Sequence, residues 1–69
     1  MSQLNLRING EDRSFAGIAT FAELIEALQL TGKRIAIERN GEIVPRSRHA
    51  EATLADGDQL EIVVAVGGG

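Results

Sequence analysis

The residues best suited to chemistry are the last three, Gly67, Gly68 and Gly69. Glycine loses more backbone freedom on ordering than any other residue, so a glycine run is useful where a chain must enter a slot too narrow for a Cβ. Three residues reach roughly 10 Å beyond a fold. The carboxylate of Gly69 would be ionised at neutral pH, and a carboxylate can attack the α-phosphate of ATP to give an acyl-adenylate that a sulfur nucleophile displaces. A frayed or artificial end fits the same residues, so composition leaves both interpretations open.

The other candidates for chemistry have simpler structural interpretations. His49 lies two residues after a serine, but no nucleophile elbow surrounds that hydroxyl, so we expect a solvent-exposed loop histidine. Asp56 and Asp58 flank Gly57, which predicts a tight turn, because calcium loops use more oxygen ligands at longer spacing. No acid/base or nucleophile constellation is visible, which makes a small stand-alone enzyme the weakest hypothesis.

Composition narrows the function classes. The 69 residues carry 7 Lys+Arg and 10 Asp+Glu, so the net charge of -3 disfavours binding to phosphate backbones. The chain has no Cys, which excludes disulfides and thiolate ligands within it. No apolar run approaches the length of a membrane span, and the start lacks the features of a signal peptide. We therefore expect a cytoplasmic domain that binds neither nucleic acid nor membrane.

The hydrophobic pattern predicts five strands and one helix. Thr20 and Glu23 form a capping-box pattern before an apolar stripe, which predicts a helix of roughly three turns ending near Gly32. Alternating segments predict strands over 4–8, 13–15, 35–39, 42–44 and 59–66. The Asn-Gly pairs at 9–10 and 40–41 predict hairpin turns, the second of which places Arg39 opposite Glu42.

The element order β-β-α-β-β-β indicates an α+β fold with one sheet packed on one main helix. If the first and last strands lie side by side and parallel, the arrangement is a β-grasp. We expect residues 1–66 to form this domain and 67–69 to form a flexible C-terminal glycine tail. Because the helix covers one face of the sheet, Val63 and Ala65 would lie on the other face as an apolar patch for a partner.

Three segments give the chain a resemblance to the ThiS family, the sulfur carriers of thiamine biosynthesis. They are Glu42-Ile43-Val44-Pro45-Arg46, the stretch from Leu54 to Val63 with its Asp-Gly-Asp turn, and the end Val66-Gly67-Gly68-Gly69. The Gly-Gly end and the Asp-Gly-Asp turn are also similar to the small subunit of molybdopterin synthase. The Val-Pro-Arg segment and the short length favour ThiS. Where that family often has a bulky aromatic residue after Val-Pro-Arg, this chain has His49.

The resemblance implies a ubiquitin-like β-grasp and a defined reaction cycle. A ThiF-type adenylyltransferase would activate the carboxylate of Gly69 with ATP and Mg²⁺, so the carrier itself would bind no cofactor. A cysteine-desulfurase relay would then supply sulfur to form a thiocarboxylate, and thiazole synthase would take that sulfur. The chain would be a protein co-substrate and not an enzyme.

The expected partner contacts lie on the tail and the surface. Gly67, Gly68 and Gly69 would enter the partner's active site, while Arg46 could pair with acidic groups or remain in a solvated loop. Two alternatives stay open: a molybdopterin-synthase-like carrier, and a passive β-grasp binding module in which the tail has no role.

Overall fold

A computed structural model describes residues 3–65 of the chain. The elements are β1 (Gln3–Ile8), β2 (Glu11–Ala16), α1 (Phe21–Ala27), β3 (Ile35–Arg39), β4 (Glu42–Val44), a 3₁₀ helix (Arg46–Arg48) and β5 (Gln59–Val64). The five strands form one mixed sheet in the order β2-β1-β5-β3-β4. β1 and β5 are parallel neighbours, and every other pairing is antiparallel. The predicted element order and parallel pairing are confirmed; the predicted end of the last strand at residue 66 lies outside the described residues.

Both Asn-Gly pairs form two-residue hairpin turns. Asn9 and Gly10 have φ of 52° and 83°, and Asn40 and Gly41 have φ of 49° and 88°. These left-handed values match the turn type whose twist suits antiparallel strands, and asparagine and glycine adopt them at little cost. The first turn sets Ile8 opposite Glu11. The second sets Arg39 opposite Glu42, as the sequence predicts.

Helix α1 begins as predicted but is shorter than predicted. Thr20 is its N-cap, and the reciprocal bonds of a capping box join it to Glu23. The helix contains seven residues and ends at Ala27, not near Gly32. Gln29 takes a left-handed φ of 61°, and the N–H of Leu30 donates to Ile25 O at 2.9 Å. This Schellman-type closure lets Leu30 pack against the core from outside the helix, which explains the early end.

The core lies between α1 and one face of the sheet. Phe21 and Leu24 of the helix are completely buried. The strands β1, β3 and β5 supply the remaining buried side chains, which are Leu6, Ile8, Ile37, Leu60 and Ile62. A sheet covered on one face only leaves its other face to solvent, and this second face is called the open face below. None of the helices in the described part of the chain is long and apolar enough to cross a membrane.

Candidate functional site

The base of the predicted tail is the end of the central strand β5. Ala65 follows β5, and its N–H donates to Arg34 O at 2.8 Å beside β3. β5 is hydrogen-bonded on both sides, to β1 and to β3, so its end has a fixed place in the sheet. The predicted reactive residues Gly67, Gly68 and Gly69 lie outside the described residues. The structure shows the end of the described chain at Ala65, four residues before Gly69.

The open face carries an apolar patch formed by Ala36, Ile43 and Val63. Val63 is 62% exposed and Ile43 63% exposed, although both are large and hydrophobic. Val63 lies opposite Ala36 in the β3–β5 register. Ala65, which follows Val63 by two residues and so lies on the same side of the chain, is also exposed. The prediction that Val63 faces away from the helix is confirmed, and the patch is a candidate protein-binding surface.

Ile43 is the member of this patch that the sequence analysis missed. The signal was present, because the predicted pairing of Ile37 with Val44 is the pairing observed. Successive side chains of a strand point to opposite faces, so a core-facing Val44 requires Ile43 to face outward. Following that alternation through β4 would have placed Ile43 beside the patch.

Two carboxylates lie next to the patch on the same face. Glu38 of β3 is directly opposite Glu61 of β5 and also directly opposite Ile43 of β4. Among the described residues, neither carboxylate forms an ion pair. Like charges directly opposite each other in a sheet are destabilising, so this pair works against the stability of the isolated domain. A partner that brings a cationic group over the pair would relieve that repulsion.

The Asp56-Gly57-Asp58 segment is a turn, as predicted, and it is tied into the fold at both carboxylates. Gly57 has a left-handed φ of 89°. Asp56 Oδ1 accepts from the backbone N–H of Asn5 at 2.7 Å. Asp58, only 7% exposed, accepts from the N–H of Ala55 at 2.8 Å and lies 3.0 Å from an Arg39 guanidinium nitrogen. The turn therefore anchors the start of β5 and provides no metal site.

Arg39 links this turn to the core and to the connecting loop. Its Nε donates to Asp58 at 3.1 Å, and its guanidinium carbon lies 5.3 Å from the centre of the Phe21 ring. A terminal nitrogen also donates to the backbone oxygen of Thr53. An arginine with this many partners is structural, and the sequence analysis identified only its pairing opposite Glu42.

The prediction that His49 is solvent-exposed is wrong. His49 is only 6% exposed, and its Nε2 donates to Val44 O at 3.1 Å. Its ring stacks with Phe21 at a centroid distance of 6.3 Å. The 3₁₀ helix after Pro45 turns the chain back across the edge strand β4, which brings the imidazole within hydrogen-bond distance of the Val44 carbonyl. His49 thus fills an aromatic position against the core, and it has no catalytic partner.

Arg46 lies in a different element from Val63 and Ala65, and β3 separates β4 from β5 in the sheet. It begins the 3₁₀ helix beyond the end of β4, where its side chain is exposed. Within residues 3–65 it forms no ion pair. The same part of the chain contains no group of three or more His, Asp or Glu side chains arranged to hold a metal ion.

A mixed five-stranded sheet of this order, packed on a single helix, defines a β-grasp domain of the ubiquitin-like class. The crystal structure of the thiamine biosynthesis protein ThiS from Geobacter metallireducens superimposes with a TM-score of 0.79 at 32% identity, over 96% of this chain and 100% of that one. The family model for the ThiS family matches residues 6–69.

Two curated relatives agree with this match. The sulfur carrier protein ThiS of Bacillus subtilis is 40% identical over 65 residues, which cover 93% of this chain and 98% of the relative. A thiazole synthase of Paramagnetospirillum magneticum is 46% identical over 66 residues, which are 96% of this chain but only 20% of the relative's length. The chain therefore belongs to the ThiS family, the sulfur carriers of thiamine biosynthesis.

Proposed function

We propose that the chain carries sulfur as a thiocarboxylate on Gly69. A carboxylate oxygen of Gly69 attacks the α-phosphorus of ATP, pyrophosphate leaves, and an acyl-adenylate forms. A sulfide equivalent then attacks the acyl carbon, AMP leaves, and the thiocarboxylate remains. The observation that carries this proposal is the family match, which extends through Gly67, Gly68 and Gly69 at the end of the chain.

The placement of β5 supports a tail that acts at a distance from the fold. The described chain reaches Ala65, and the four residues from there to Gly69 can span at most about 13 Å. That length suits a reaction performed in the active site of another protein. Gly67 and Gly68 would lie in the narrow approach to that site, where the absence of a Cβ allows close backbone contact. The tail over 67–69 and the β-grasp over 1–66 are thus separate functional units.

The enzyme that activates Gly69 would be a ThiF-type adenylyltransferase that holds both ATP and Mg²⁺. Its docking surface on the carrier would be the open-face patch, in which Val63 and Ile43 are the large apolar contacts, together with the neighbouring Ala65. Glu38 and Glu61 beside the patch favour a partner surface with a lysine or arginine over them. Arg46, just beyond the C-terminal end of β4, would meet an acidic group of the same partner.

Thiazole synthase is the proposed sulfur acceptor. The relative from Paramagnetospirillum magneticum, which bears that name, contains a segment 46% identical to nearly all of this chain within one longer polypeptide. Covalent linkage places a carrier permanently beside the enzyme it serves and raises its effective concentration there. We infer that this chain serves the same acceptor. A cysteine-desulfurase relay would supply the sulfur, and the carrier would be a cytoplasmic co-substrate with no catalytic activity.

Intact-mass analysis tests the proposal. After incubation with a ThiF-type adenylyltransferase, ATP, Mg²⁺ and sulfide, the protein should gain the mass difference between sulfur and oxygen at Gly69. Deletion of Gly69, or addition of one alanine after it, should abolish the gain. A Val63→Ala variant, which keeps the tail intact, is the matched control and should still be converted at saturating enzyme. Conversion of the deletion variant would overturn the assignment of Gly69.

The same reagents separate the two alternatives. Transfer of the sulfur to a molybdopterin precursor and not to thiazole synthase would assign the chain to the molybdopterin pathway. A passive binding module would bind its partner equally well with and without Gly67, Gly68 and Gly69, and would acquire no sulfur.

A further inference from the structure

The side chain of Asn9 continues the pairing of β1 with β5 after β1 has ended. The parallel register covers Arg7 with Gln59 and Ile8 with Leu60. Beyond it, Asn9 Nδ2 donates to Ile62 O at 3.1 Å, and the N–H of Ile62 donates to Asn9 Oδ1 at 2.9 Å. The amide thus offers one acceptor and one donor, as the backbone of a further strand residue would.

Asn40 contacts β5 from the opposite side, but through its backbone as well as its side chain. Its backbone N–H donates to Gln59 O at 2.8 Å, and its Oδ1 accepts from the N–H of Gln59 at 3.0 Å. Asn9 and Asn40 are both the first residue of an Asn-Gly hairpin turn, with φ of 52° and 49°. The two contacts differ in position: Asn40 holds the start of β5, whereas Asn9 holds its second half, nearer to Gly69.

Asn9 forms the last hydrogen bonds on the β1 side of β5 within residues 3–65. On the β3 side, pairing continues to Ile35 opposite Val64 and to the bond between Ala65 and Arg34. Ile62 itself is 7% exposed. Removing the amide of Asn9 would therefore leave a buried N–H and a buried carbonyl without partners, and the second half of β5 would be held from the β3 side only.

We propose that Asn9 is a positioning residue for the sulfur-carrier reaction. By fixing Ile62 from the β1 side, its amide holds the end of β5 in the direction from which residues 66–69 enter the partner's active site. This inference rests on the proposed reaction at Gly69. It assigns Asn9 a role that Asn40 does not share, although the two residues have the same turn position and each hydrogen-bonds β5 through its side chain.

The test compares Asn9→Gly with Asn40→Gly. Glycine accepts the left-handed φ of both turns, so each substitution removes an amide without adding backbone strain. The first measurement is hydrogen exchange of the Ala65 amide, which should be accelerated at least about tenfold in Asn9→Gly and little in Asn40→Gly. The second is the steady-state kinetics of adenylation with the carrier as the varied substrate. Asn9→Gly should raise KM about tenfold at nearly unchanged kcat, because a smaller fraction of the carrier is ordered for binding, and Asn40→Gly should change KM less than about twofold.

Asn9→Asp is the second variant, because it keeps the acceptor for Ile62 N–H but places a carboxylate oxygen against Ile62 O. Asn9→Asp should raise both the exchange rate of the Ala65 amide and the KM for adenylation, as Asn9→Gly does. If the glycine variant does not fold, the aspartate variant is measured in its place. Equal KM increases in Asn9→Gly and Asn40→Gly would reduce the contact to general stability and overturn the proposal. Faster Ala65 exchange with unchanged KM would overturn it as well. If the unsubstituted carrier is not adenylated at all, the proposed function fails, while the exchange comparison still shows whether Asn9 orders the end of β5.

Discussion

The two faces of β5 show how one short strand serves both the stability and the proposed function of the domain. Leu60 and Ile62 point towards α1 and are 2% and 7% exposed. Val63, between the positions that face the core, is 62% exposed, and Glu61 faces Glu38 across the sheet. The core-facing side is covered at Leu60 and Ile62, and only Val64 at the end of the strand is partly exposed, at 37%. The open face keeps an apolar residue and two like charges in water, an arrangement that is unfavourable for the isolated domain and suited to a partner.

The largest expected effect on stability comes from the helix that covers the buried face. Leu24→Ala removes a completely buried side chain and should lower the free energy of unfolding by about 3 kcal/mol. A domain of this size has only about 3–10 kcal/mol in total, so the variant should be partly unfolded at ambient temperature. Urea denaturation followed by circular dichroism measures this loss. The matched open-face variant Val63→Ala should lose less than about 1 kcal/mol, and equal losses would contradict the distinction between the faces.

A buried charge at the rim of the core should have the next largest effect. Asp58→Asn removes the charged partner of Arg39, and the free energy of unfolding should fall by about 2 kcal/mol. Asp56→Asn, two residues away in the same turn, is the control. Its carboxylate accepts from the N–H of Asn5 at an exposed site, so the loss should be below about 1 kcal/mol. Equal midpoints for the two variants in a urea titration would show that burial of Asp58 contributes nothing.

The sequence predicted the elements whose determinants are local. Asn-Gly turns, the capping box of Thr20 and Glu23, and the alternation in β5 each act within a few residues, and the structure confirms all of them. The parallel pairing of β1 and β5 was implied by the β-grasp resemblance, because the hydrophobic pattern alone does not fix the order of the strands.

The features that the sequence did not predict depend on long-range contacts. The helix ends early because Leu30 closes it against the core, and no local stop signal shows that. His49 is buried because the chain folds back over β4 onto Phe21, which lies 28 positions earlier in the sequence. Asn9 reads as a turn residue, but its contact with Ile62 spans 53 positions. For the candidate site, Val63 followed from alternation along β5, and the same alternation through β4 would have given Ile43 as well.

Glu23 is an exposed helix residue that belongs to neither face of the sheet, and its carboxylate supports the fold through the helix cap. Its carboxylate accepts from the N–H groups of Ala19 at 2.6 Å and Thr20 at 3.1 Å. These backbone hydrogen bonds lower the pKa of Glu23 below its ordinary value, and the bond from Ala19 has the largest effect. A carboxyl whose pKa is lower in the folded than in the unfolded state contributes stability at neutral pH and loses that contribution as the pH falls through the folded-state pKa.

Glu23→Gln should therefore unfold at lower urea concentration than the unsubstituted chain at pH 7, and the gap should narrow as the pH falls below the ordinary pKa of a glutamate. Glu26 lies on the same helix without such bonds to the backbone N–H groups before it, so Glu26→Gln should lower the urea midpoint at pH 7 less than Glu23→Gln. Urea midpoints measured at several pH values check both expectations. A constant gap across the acid range would mean that the charge of Glu23 does not support the cap.

The smallest expected effect on stability comes from substitutions in the open-face patch. These substitutions separate the two faces most clearly, because they should change partner binding and leave the fold intact. Val63→Thr combined with Ile43→Thr keeps the β-branched side chains that strands favour and shortens only the exposed Ile43, so the free energy of unfolding should change by less than about 1 kcal/mol in total. Loss of the apolar contacts should nevertheless raise KM for adenylation by about fivefold or more, since each replaced methyl is worth about 0.8 kcal/mol when buried by the partner. Ala16→Thr, on the open face of the distant edge strand β2, is the control and should leave KM unchanged. An unchanged KM in the double variant would show that the partner does not use the patch, and the exposed Val63 and Ile43 would then need another explanation.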